Sequence, residues 1–439
     1  SFSRRIQRIS DRDSSGDFET IVRRISEDKA YYAFDTPEEL EKMREDLKKA
    51  GVAAPQYNTI SRARMQNSIS LSAEEVEKRM QAGDPYVIRI KMPRNEEIKF
   101  KDIIRGWVSV HTSNLDDKVL FKADGMPTYH LANIVDDHLM NISHVIRGEE
   151  WLPSAPLHIY LYEAFGWSDT MPEFAHLPLL LKPDGNGKLS KRDGDRLGFP
   201  VFPLEWKDPT SGEVSSGYRE KGYFSSAFIN ILAFLGWNPG TSQEVFSMEE
   251  LIETFSLERV GKAGSKYDPD KAKWFNQQYL REKDDTELAE ALLENDFGLE
   301  QLKGIEKSFL AGVCGMMKER ATFLADIPKE GDYFFSSPHV YDEKTTRKKW
   351  KEDSAVLMSE WLEVFKSISD YTADQIEISF KSFLEQKELG IGRVLPLFRL
   401  LVTGKGMASG LPVGAFTASK EIMHTLSENP KMGHIIICF

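Results

Sequence analysis

The spacing of apolar and polar residues predicts a small α+β segment between residues 29 and 123. Thr36, Pro37 and Glu39 form a capping box with proline at the first helical position, which predicts a helix from residue 37 to about residue 50. Ser72 and Glu75 repeat this start signal for a second helix, which a Gly-Asp-Pro turn ends. Short runs of β-forming residues between turn residues then predict strands at 86–92, 98–100, 107–110 and 119–121.

Residues 124–202 follow a different pattern. An apolar stripe of Leu131, Val135 and Leu139 predicts a helix over 128–140. Next come a short apolar run at 142–147, a helix with prolines in its first turn at 153–165, and a second apolar run at 174–181. A strand, a helix and a strand at this spacing form a βαβ unit, whose strands are parallel and whose crossover is right-handed.

The rest of the chain is predicted to be mainly helical. An apolar helix is predicted at 224–235, ended by glycine and proline, and another at 269–279. From residue 283 to about 420, long apolar and polar periodicity predicts helices throughout. We therefore expect an α/β region followed by an all-α region.

Composition narrows the class of protein. The chain has 439 residues, 41% of them hydrophobic, and a formal net charge of -12. No apolar run approaches the ~18 residues of a membrane span. Cys314 and Cys438 are too few for a disulfide framework or a four-cysteine zinc site, and they fit a reducing cytoplasm. The acidic balance requires that any nucleic-acid-binding surface be local, as around 188–196 or 347–351.

The βαβ unit carries the candidate chemistry. Ligands of open parallel sheets bind outside the carboxyl ends of the strands. The two strands are followed by residues 147–151, beginning with Arg147, and by a glycine-bearing, lysine-rich loop at 182–192. A guanidinium beside such a loop suits a site that holds a carboxylate next to a polyphosphate.

Several stretches resemble a known family. Residues 188–192 are similar to the second signature loop of class I aminoacyl-tRNA synthetases, although this K-x-S-K-R string is weak alone. Residues 129–138 and 144–151 resemble the second catalytic half of bacterial glutamyl-tRNA synthetases. The similarity continues through 222–239 and 273–276 and extends from about residue 29 to at least 404.

The resemblance implies a domain organisation. It comprises an incomplete Rossmann-type catalytic domain, an α+β insertion that holds the tRNA acceptor end, and a C-terminal α-helical anticodon-binding region. The corresponding segments are 1–28 as a remnant of the first catalytic half, 29–123 as the insertion, 124–202 as the second catalytic half, 203–282 as a stem-contact region and 283–439 as the anticodon-binding domain.

The resemblance also implies an activity, the ATP-dependent ligation of L-glutamate to its tRNA through glutamyl-adenylate. Tyr129, Asn133 and Arg147 would contact glutamate, with Arg147 on its side-chain carboxylate. The implied ATP-binding residues are Glu150, the main chain near Leu180, Lys188, Ser190 and Lys191, of which Lys188 and Lys191 would act in catalysis on the leaving pyrophosphate.

The implied partners are ATP with Mg²⁺ as a substrate complex, glutamate and tRNA(Glu), with tRNA(Gln) left open. Phe34 and Asp35 stand where some relatives carry zinc-binding cysteines, so we expect no zinc and no protein metal site. We expect a cytoplasmic monomer that does not bind a membrane, although the sequence does not determine the oligomeric state.

Simpler interpretations stay open for individual residues. Arg147 alone would also fit a surface ion pair with Glu149 or Glu150, and Tyr129 with Asn133 would fit the polar face of a core helix. Structural roles are favoured over a metal site for His130, Asp136, Asp137 and His138, and core positions for His144 and His158. The run 347–351 fits a phosphate-binding patch and a solvated helix face equally well.

One departure from the family concerns its first signature, H-x-G-H, which is not found before residue 29, while the chain opens at Ser1. A fragment of an ordinary enzyme is the favoured explanation. The alternatives are a tRNA-binding protein without catalysis and an enzyme completed by a second chain. A tRNA-modifying glutamylating paralogue would lack the helical region, and a glutaminyl-tRNA synthetase would end in β-barrels. The tail, 407–439, shows little sequence similarity to the family.

Overall fold

The computed structural model describes residues 29–295, 300–336, 338–369 and 372–406. These residues form two compact units. The first unit holds the described residues up to Leu189 together with 234–242 and 252–267. The second holds 190–233, 243–251 and the described residues from Asp268 onward. The predictions for 1–28 and 407–439 lie outside the described residues.

Most of the strands belong to the first unit. The strands are β1 (Ala30–Ala33), β2 (Val87–Ile90), β3 (Glu97–Asp102), β4 (Gly106–His111), β5 (Val119–Phe121), β6 (His144–Gly148), β7 (Glu173–Leu177), β8 (Leu180–Leu181), β9 (Trp206–Lys207), β10 (Val214–Ser215) and β11 (Ser265–Lys266). One sheet has the order β1-β2-β5 and is antiparallel. A four-stranded sheet has the order β4-β3-β7-β6, in which β7 runs parallel to both β3 and β6.

The helices connect these strands and then dominate the chain. They are α1 (Pro37–Lys49), α2 (Ala73–Ala82), α3 (Tyr129–Leu139), α4 (Ala155–Phe165), α5 (Lys191–Leu197), α6 (Ser225–Ala233), α7 (Met248–Thr254), α8 (Pro269–Glu282), α9 (Asp285–Glu294), α10 (Lys307–Met317), α11 (Asp326–Glu330), α12 (Glu343–Lys349), α13 (Ser354–Lys366), α14 (Ala373–Gln386) and α15 (Ile391–Thr403). None of the described helices is long and apolar enough to cross a membrane.

The predicted helix starts at α1 and α2 are confirmed. Thr36 and Glu39 cap each other's backbone amides, and Ser72 accepts a hydrogen bond from the amide of Glu75 at 3.3 Å. These bonds satisfy donors that the first helical turn otherwise leaves free. Gly83 ends α2 with φ of 77°, a left-handed conformation that glycine adopts without a Cβ clash.

The parallel βαβ unit is confirmed, but its second strand is shorter than predicted. The run 174–181 was expected to be one strand, whereas β7 ends at Leu177, directly before Pro178. Proline has no amide hydrogen to donate to a ladder. The chain resumes as β8, which pairs with β11 in a separate two-stranded sheet. The lysine-rich loop therefore follows β8 and not β7.

A large apolar core of the first unit packs against the parallel strands. It includes Leu131 and Val135 of α3, whereas Leu139 is 56% exposed, so the predicted stripe is shorter by one turn. His158 on α4 is fully buried, as expected, but the prediction of a core position for His144 is wrong. His144 lies at the exposed start of β6, which is an edge strand of its sheet and contains no fully buried residue.

The described helices of the second unit pack around apolar cores, as the periodicity of its sequence predicts. One core packs around α9 and α10, and the other around Trp361 of α13, with side chains from α14 and α15. Asn276 of α8 is buried, where it accepts a hydrogen bond from the amide of Phe224 and donates one to the carbonyl of Thr322. An α/β region followed by an all-α region is confirmed.

The compact units do not coincide with the five predicted segments. The hairpin β3–β4, from the predicted insertion, lies in the same sheet as β6 and β7, from the predicted catalytic half. Residues on both sides of the boundary at residue 123 share one core. The functional labels of the segments stay predictions.

The first unit contains a buried carboxylate whose removal tests this packing. Asp117 accepts hydrogen bonds from the Tyr31 hydroxyl at 2.7 Å, the Arg62 guanidinium at 3.0 Å and the amide of Met92 at 3.1 Å. Asp117→Ala leaves these donors without their acceptor, so we expect a loss of about 3–5 kcal/mol in unfolding free energy. The change is measured by urea and thermal unfolding.

Asp124→Ala is the matched control, because Asp124 is exposed and its contacts are local: it pairs with Lys122 at 2.9 Å and accepts a hydrogen bond from the amide of Met126 at 3.0 Å. The control is expected to unfold as the unmodified chain does. Equal unfolding curves for the two variants would contradict the structural role of Asp117.

Candidate active site

Arg147 is the centre of the candidate site. It is the penultimate residue of β6, and its guanidinium is half-buried. The Nε atom donates to Nε2 of His176 on β7 at 3.1 Å, and Nη1 lies 3.4 Å from Nδ1 of His158 on α4. Nη2 is buried and has no hydrogen-bond partner among the described residues. The parallel strands thus hold the arginine on one side and leave one nitrogen for a ligand.

The ion-pair interpretation of Arg147 is wrong, because the two neighbouring glutamates have other partners. Glu149 lies 2.5 Å from the guanidinium of Arg105 and accepts a hydrogen bond from the amide of Leu179 at 3.2 Å. It thereby ties the end of β6 to the chain just after Pro178. Glu150 is exposed and pairs with Lys188.

A buried carboxylate lies behind Arg147. Asp102, the last residue of β3, has no exposed surface, and its Oδ2 atom lies 2.6 Å from Nδ1 of His176. Its Oδ1 atom accepts hydrogen bonds from the amides of Ile104 at 3.0 Å and Arg105 at 2.8 Å. Burial alone would raise the pKa of Asp102, but the hydrogen bonds from His176 and the backbone lower it below its usual range. Asp102 is therefore a charged group at the base of the site.

Two of the residues predicted to bind glutamate lie beside each other. The Tyr129 ring is 4.9 Å from the ring of Trp151, and the Arg147 guanidinium is 6.0 Å from that same ring. Tyr129 opens α3 and is 40% exposed. Burial lowers the pKa of Arg147, while Tyr129 and Asp137, which lie near its charge, oppose this shift.

Asn133, the third predicted glutamate-binding residue, lies one turn further along α3. Its side-chain amide donates to Asp137, one turn on. Burial raises the pKa of Asp137, and the hydrogen bond from Asn133 opposes this effect. Asn133 is therefore engaged within its own helix, and its contact with glutamate stays a prediction.

The histidines near α3 have structural partners. Nδ1 of His130 is 3.0 Å from Nε2 of the buried His158, whereas His138 stacks on Trp167 at 3.8 Å and bonds to Thr170. The two α3 histidines therefore serve different contacts, in agreement with the structural interpretation. Within the described ranges, no three His, Cys, Asp or Glu side chains are grouped to hold a metal ion.

The loop at 182–187 is closed on itself by backbone hydrogen bonds. The amide of Leu189 donates to the carbonyl of Leu180 at 2.7 Å, and the amide of Lys182 to that of Gly187 at 3.1 Å. Gly185 has φ of 78°, and a Cβ there would lie 2.6 Å from the side chain of Lys266. The positive φ favours glycine at this position, whereas the flexible end of the Lys266 side chain can move aside for a Cβ. Lys188 leaves the loop toward Glu150, at an Nζ to Oε1 distance of 2.5 Å.

The second part of the lysine-rich stretch begins α5. Ser190 caps this helix and its hydroxyl lies 2.6 Å from Oδ2 of Asp193, which also receives the amide of Ser190. Lys191 is the first residue of α5. The Ser190 hydroxyl is thus engaged in a capping box with Asp193. The sequence analysis did not predict that Asp193 caps this helix.

The sequence analysis also missed Asp102 and His176. Their contact joins residues 74 positions apart, and His176 meets Arg147 across 29 positions. Pattern analysis of single elements does not reveal such pairs. A signal was present in the histidine within the apolar run 174–181, because a polar residue in a buried strand requires a hydrogen-bond partner.

Comparisons with known proteins place this geometry in a class. Residues 3–274 match the family model described as tRNA synthetases class I (E and Q), catalytic domain, and residues 284–418 match the model of an anticodon binding domain. A chain that joins the two is a class I aminoacyl-tRNA synthetase.

Within that class, the chain belongs to the family of the glutamate and glutamine enzymes. It is 54% identical over 388 residues to a glutamate--tRNA ligase of Cytophaga hutchinsonii, covering 88% of this chain and 75% of the relative. It is 55% identical over 381 residues to one of Bacteroides fragilis, covering 86% and 74%. A crystal structure of a glutamate tRNA ligase from Elizabethkingia meningosepticum in complex with its amino acid is 46% identical, with a TM-score of 0.85 over 98% of this chain and 83% of that one.

The buried imidazole of His158 generates a pH prediction. Burial, with the Arg147 charge and His130 next to it, lowers the pKa of His158 to about 3. In the unfolded chain a histidine titrates near pH ~6.5. The unfolded state therefore binds the proton more readily, and stability decreases as the pH falls from about 6.5 toward 3.

His158→Gln removes this contribution, so the difference in thermal midpoint between pH 7.5 and pH 5 should shrink. His144→Gln, at an exposed position, is the control for removal of a histidine and should keep the full difference. An unchanged pH dependence in His158→Gln would contradict the assignment.

Proposed function

We propose that the chain catalyses the ATP-dependent ligation of L-glutamate to tRNA through glutamyl-adenylate, with release of AMP and pyrophosphate. The observation that carries the proposal is Arg147 near the end of a parallel strand, a half-buried guanidinium whose buried Nη2 atom has no hydrogen-bond partner among the described residues. It occurs in a family whose curated relatives are named glutamate--tRNA ligases.

In the first step, the α-carboxylate of glutamate attacks the α-phosphate of ATP and pyrophosphate leaves. Arg147 binds the side-chain carboxylate of glutamate, because a guanidinium presents parallel N–H donors to both carboxylate oxygens. Tyr129, which lies beside it, and Asn133 on the same helix complete the proposed contacts. This binding leaves the α-carboxylate free to react.

ATP binds along the segment from Glu150 to Lys191 in this proposal. The exposed pair of Glu150 with Lys188 and the main chain at Leu180 flank the nucleotide. Lys188, Ser190 and Lys191 contact the phosphates, and the lysine charges stabilise the leaving pyrophosphate. Mg²⁺ arrives with ATP as part of the substrate, held mainly by its phosphates and water.

The second substrate is tRNA(Glu), whose terminal ribose takes the glutamyl group from the adenylate. In the proposal, residues 29–123 bind its acceptor end, and the helices after residue 283 bind its anticodon. The net charge of -12 confines basic contact surface to local regions. We further propose a cytoplasmic monomer without zinc, and leave charging of tRNA(Gln) as an outcome to measure.

Pyrophosphate exchange tests the function directly. The full chain, supplied with glutamate, ATP and tRNA(Glu), is expected to exchange labelled pyrophosphate into ATP. Exchange that requires glutamate, and fails with aspartate, supports the proposal. Binding of tRNA without exchange would contradict it for this chain and support a tRNA-binding role.

Lys191→Ala tests the proposed phosphate contact. Because a lysine charge on the leaving pyrophosphate acts in the transition state, we expect exchange to slow by about 100-fold while tRNA affinity stays the same. Lys191→Arg keeps the charge and is the matched control, with a smaller loss expected. Equal losses of exchange and tRNA affinity in Lys191→Ala would place Lys191 elsewhere in the mechanism.

A further inference from the structure

Three side chains from three neighbouring strands form one chain of contacts. Asp102 of β3 bonds to His176 of β7 at 2.6 Å, and His176 bonds to Arg147 of β6 at 3.1 Å. Asp102 and His176 are both fully buried. Among the described residues, His176 is the only hydrogen-bond partner of the Arg147 Nε atom, and Asp102 holds His176 from behind.

The proton on His176 is fixed by its two neighbours. Arg147 Nε always carries a hydrogen, so the facing Nε2 atom of His176 must accept. The single proton of the imidazole is then on Nδ1, where it is donated to the Asp102 carboxylate. The carboxylate therefore selects the tautomer that can hold the arginine.

The same reasoning applies on the other side of the guanidinium. Nη1 of Arg147 faces Nδ1 of His158, so that nitrogen accepts, and Nε2 of His158 donates to His130. Arg147 is thus held on two nitrogens by neutral imidazoles. Among the described residues, no carboxylate accepts a hydrogen bond from Arg147; Asp102 lies one residue further back, behind His176, and the charge of Asp137 acts on Arg147.

This arrangement has a consequence for ligand binding. A carboxylate in direct contact with Arg147 would form an ion pair and cancel much of its charge. Neutral acceptors fix the direction of the guanidinium and leave its charge, together with the free Nη2 atom, for an incoming anion. Preorganisation of this kind reduces the cost of ordering a long side chain when a ligand binds.

We propose that His176, oriented by Asp102, is a positioning residue that aims the guanidinium of Arg147 at the side-chain carboxylate of glutamate without neutralising it. This inference rests on the proposed function, because it assumes that Arg147 contacts that carboxylate. It adds two residues to the specificity of the site for an acidic side chain over its amide.

A pair of substitutions separates the two ends of the imidazole. The amide of His176→Asn lies near the former Nδ1 position, so it reaches Asp102 and loses Arg147. The longer amide of His176→Gln reaches the former Nε2 position and keeps an acceptor for Arg147. We expect the dissociation constant of glutamate, measured by titration calorimetry, to rise about tenfold or more in His176→Asn and less in His176→Gln. ATP affinity should not change in either.

Two further variants complete the set. Asp102→Asn allows the other tautomer of His176, so it should also weaken glutamate binding while ATP affinity is kept. His144→Asn, exposed at the start of the same strand as Arg147, is the matched control and should bind glutamate as the unmodified chain does. Thermal midpoints are recorded for all variants to identify any that do not fold.

Failure of the inference and failure of the proposed function have different signatures. If Arg147→Gln binds glutamate normally, the proposed contact of Arg147 is wrong. If Arg147→Gln binds weakly but both His176 variants bind normally, only the positioning role is overturned. The unmodified chain gives an independent readout by ¹⁵N NMR: the inference expects His176 to carry its proton on Nδ1, and a proton on Nε2 would overturn it.

Discussion

The buried carboxylate of Asp102 is the constraint on which the candidate site depends. A charge without exposure to water must be matched by donors, and here these are the backbone amides just after β3 and the imidazole of His176. The donors come from two chain segments, so their convergence on one carboxylate fixes β3 against β7. It also fixes the imidazole that supports Arg147. Sheet assembly and site geometry therefore share one interaction.

Parallel pairing of β6 and β7 supplies the second condition. Because both strands run the same way, Arg147 and His176 are register partners, and the chain leaves both strands at one edge of the sheet. Pro178 then ends the pairing, and Glu149 accepts the amide of Leu179 that follows. The break directs the chain into β8 and the lysine-rich loop, whose Lys188 returns to Glu150. Arg147 and Lys188, for which we propose carboxylate and phosphate contacts, thus lie on neighbouring segments of the first unit.

Sequence reasoning succeeded where a local pattern determines the structure. The capping residues of α1 and α2, the βαβ order around α4 and the helical second unit follow from short-range spacing. It also selected Arg147 and Tyr129, which the structure places together. The role expected for Lys191 rests on family similarity. It follows from the motif and its place in the chain, and the spacing of apolar residues alone would not have indicated it.

The sequence did not reveal contacts that join distant elements. The hairpin β3–β4 was assigned to a separate segment, because nothing in its alternating pattern shows which sheet it joins. His144 and Leu139 are exposed. Whether a side chain is covered depends on which elements pack against it, and periodicity alone does not specify this. The Asp102–His176–Arg147 chain is a product of sheet order, and it becomes visible only once the strands are assembled.

A crystal structure of the chain with bound L-glutamate tests the central claim most directly. The account predicts that the side-chain carboxylate of the ligand accepts hydrogen bonds from Arg147, including one from Nη2, while Nε stays on His176. A ligand whose side-chain carboxylate binds another cation, or an Arg147 that leaves His176 to reach it, would contradict the account.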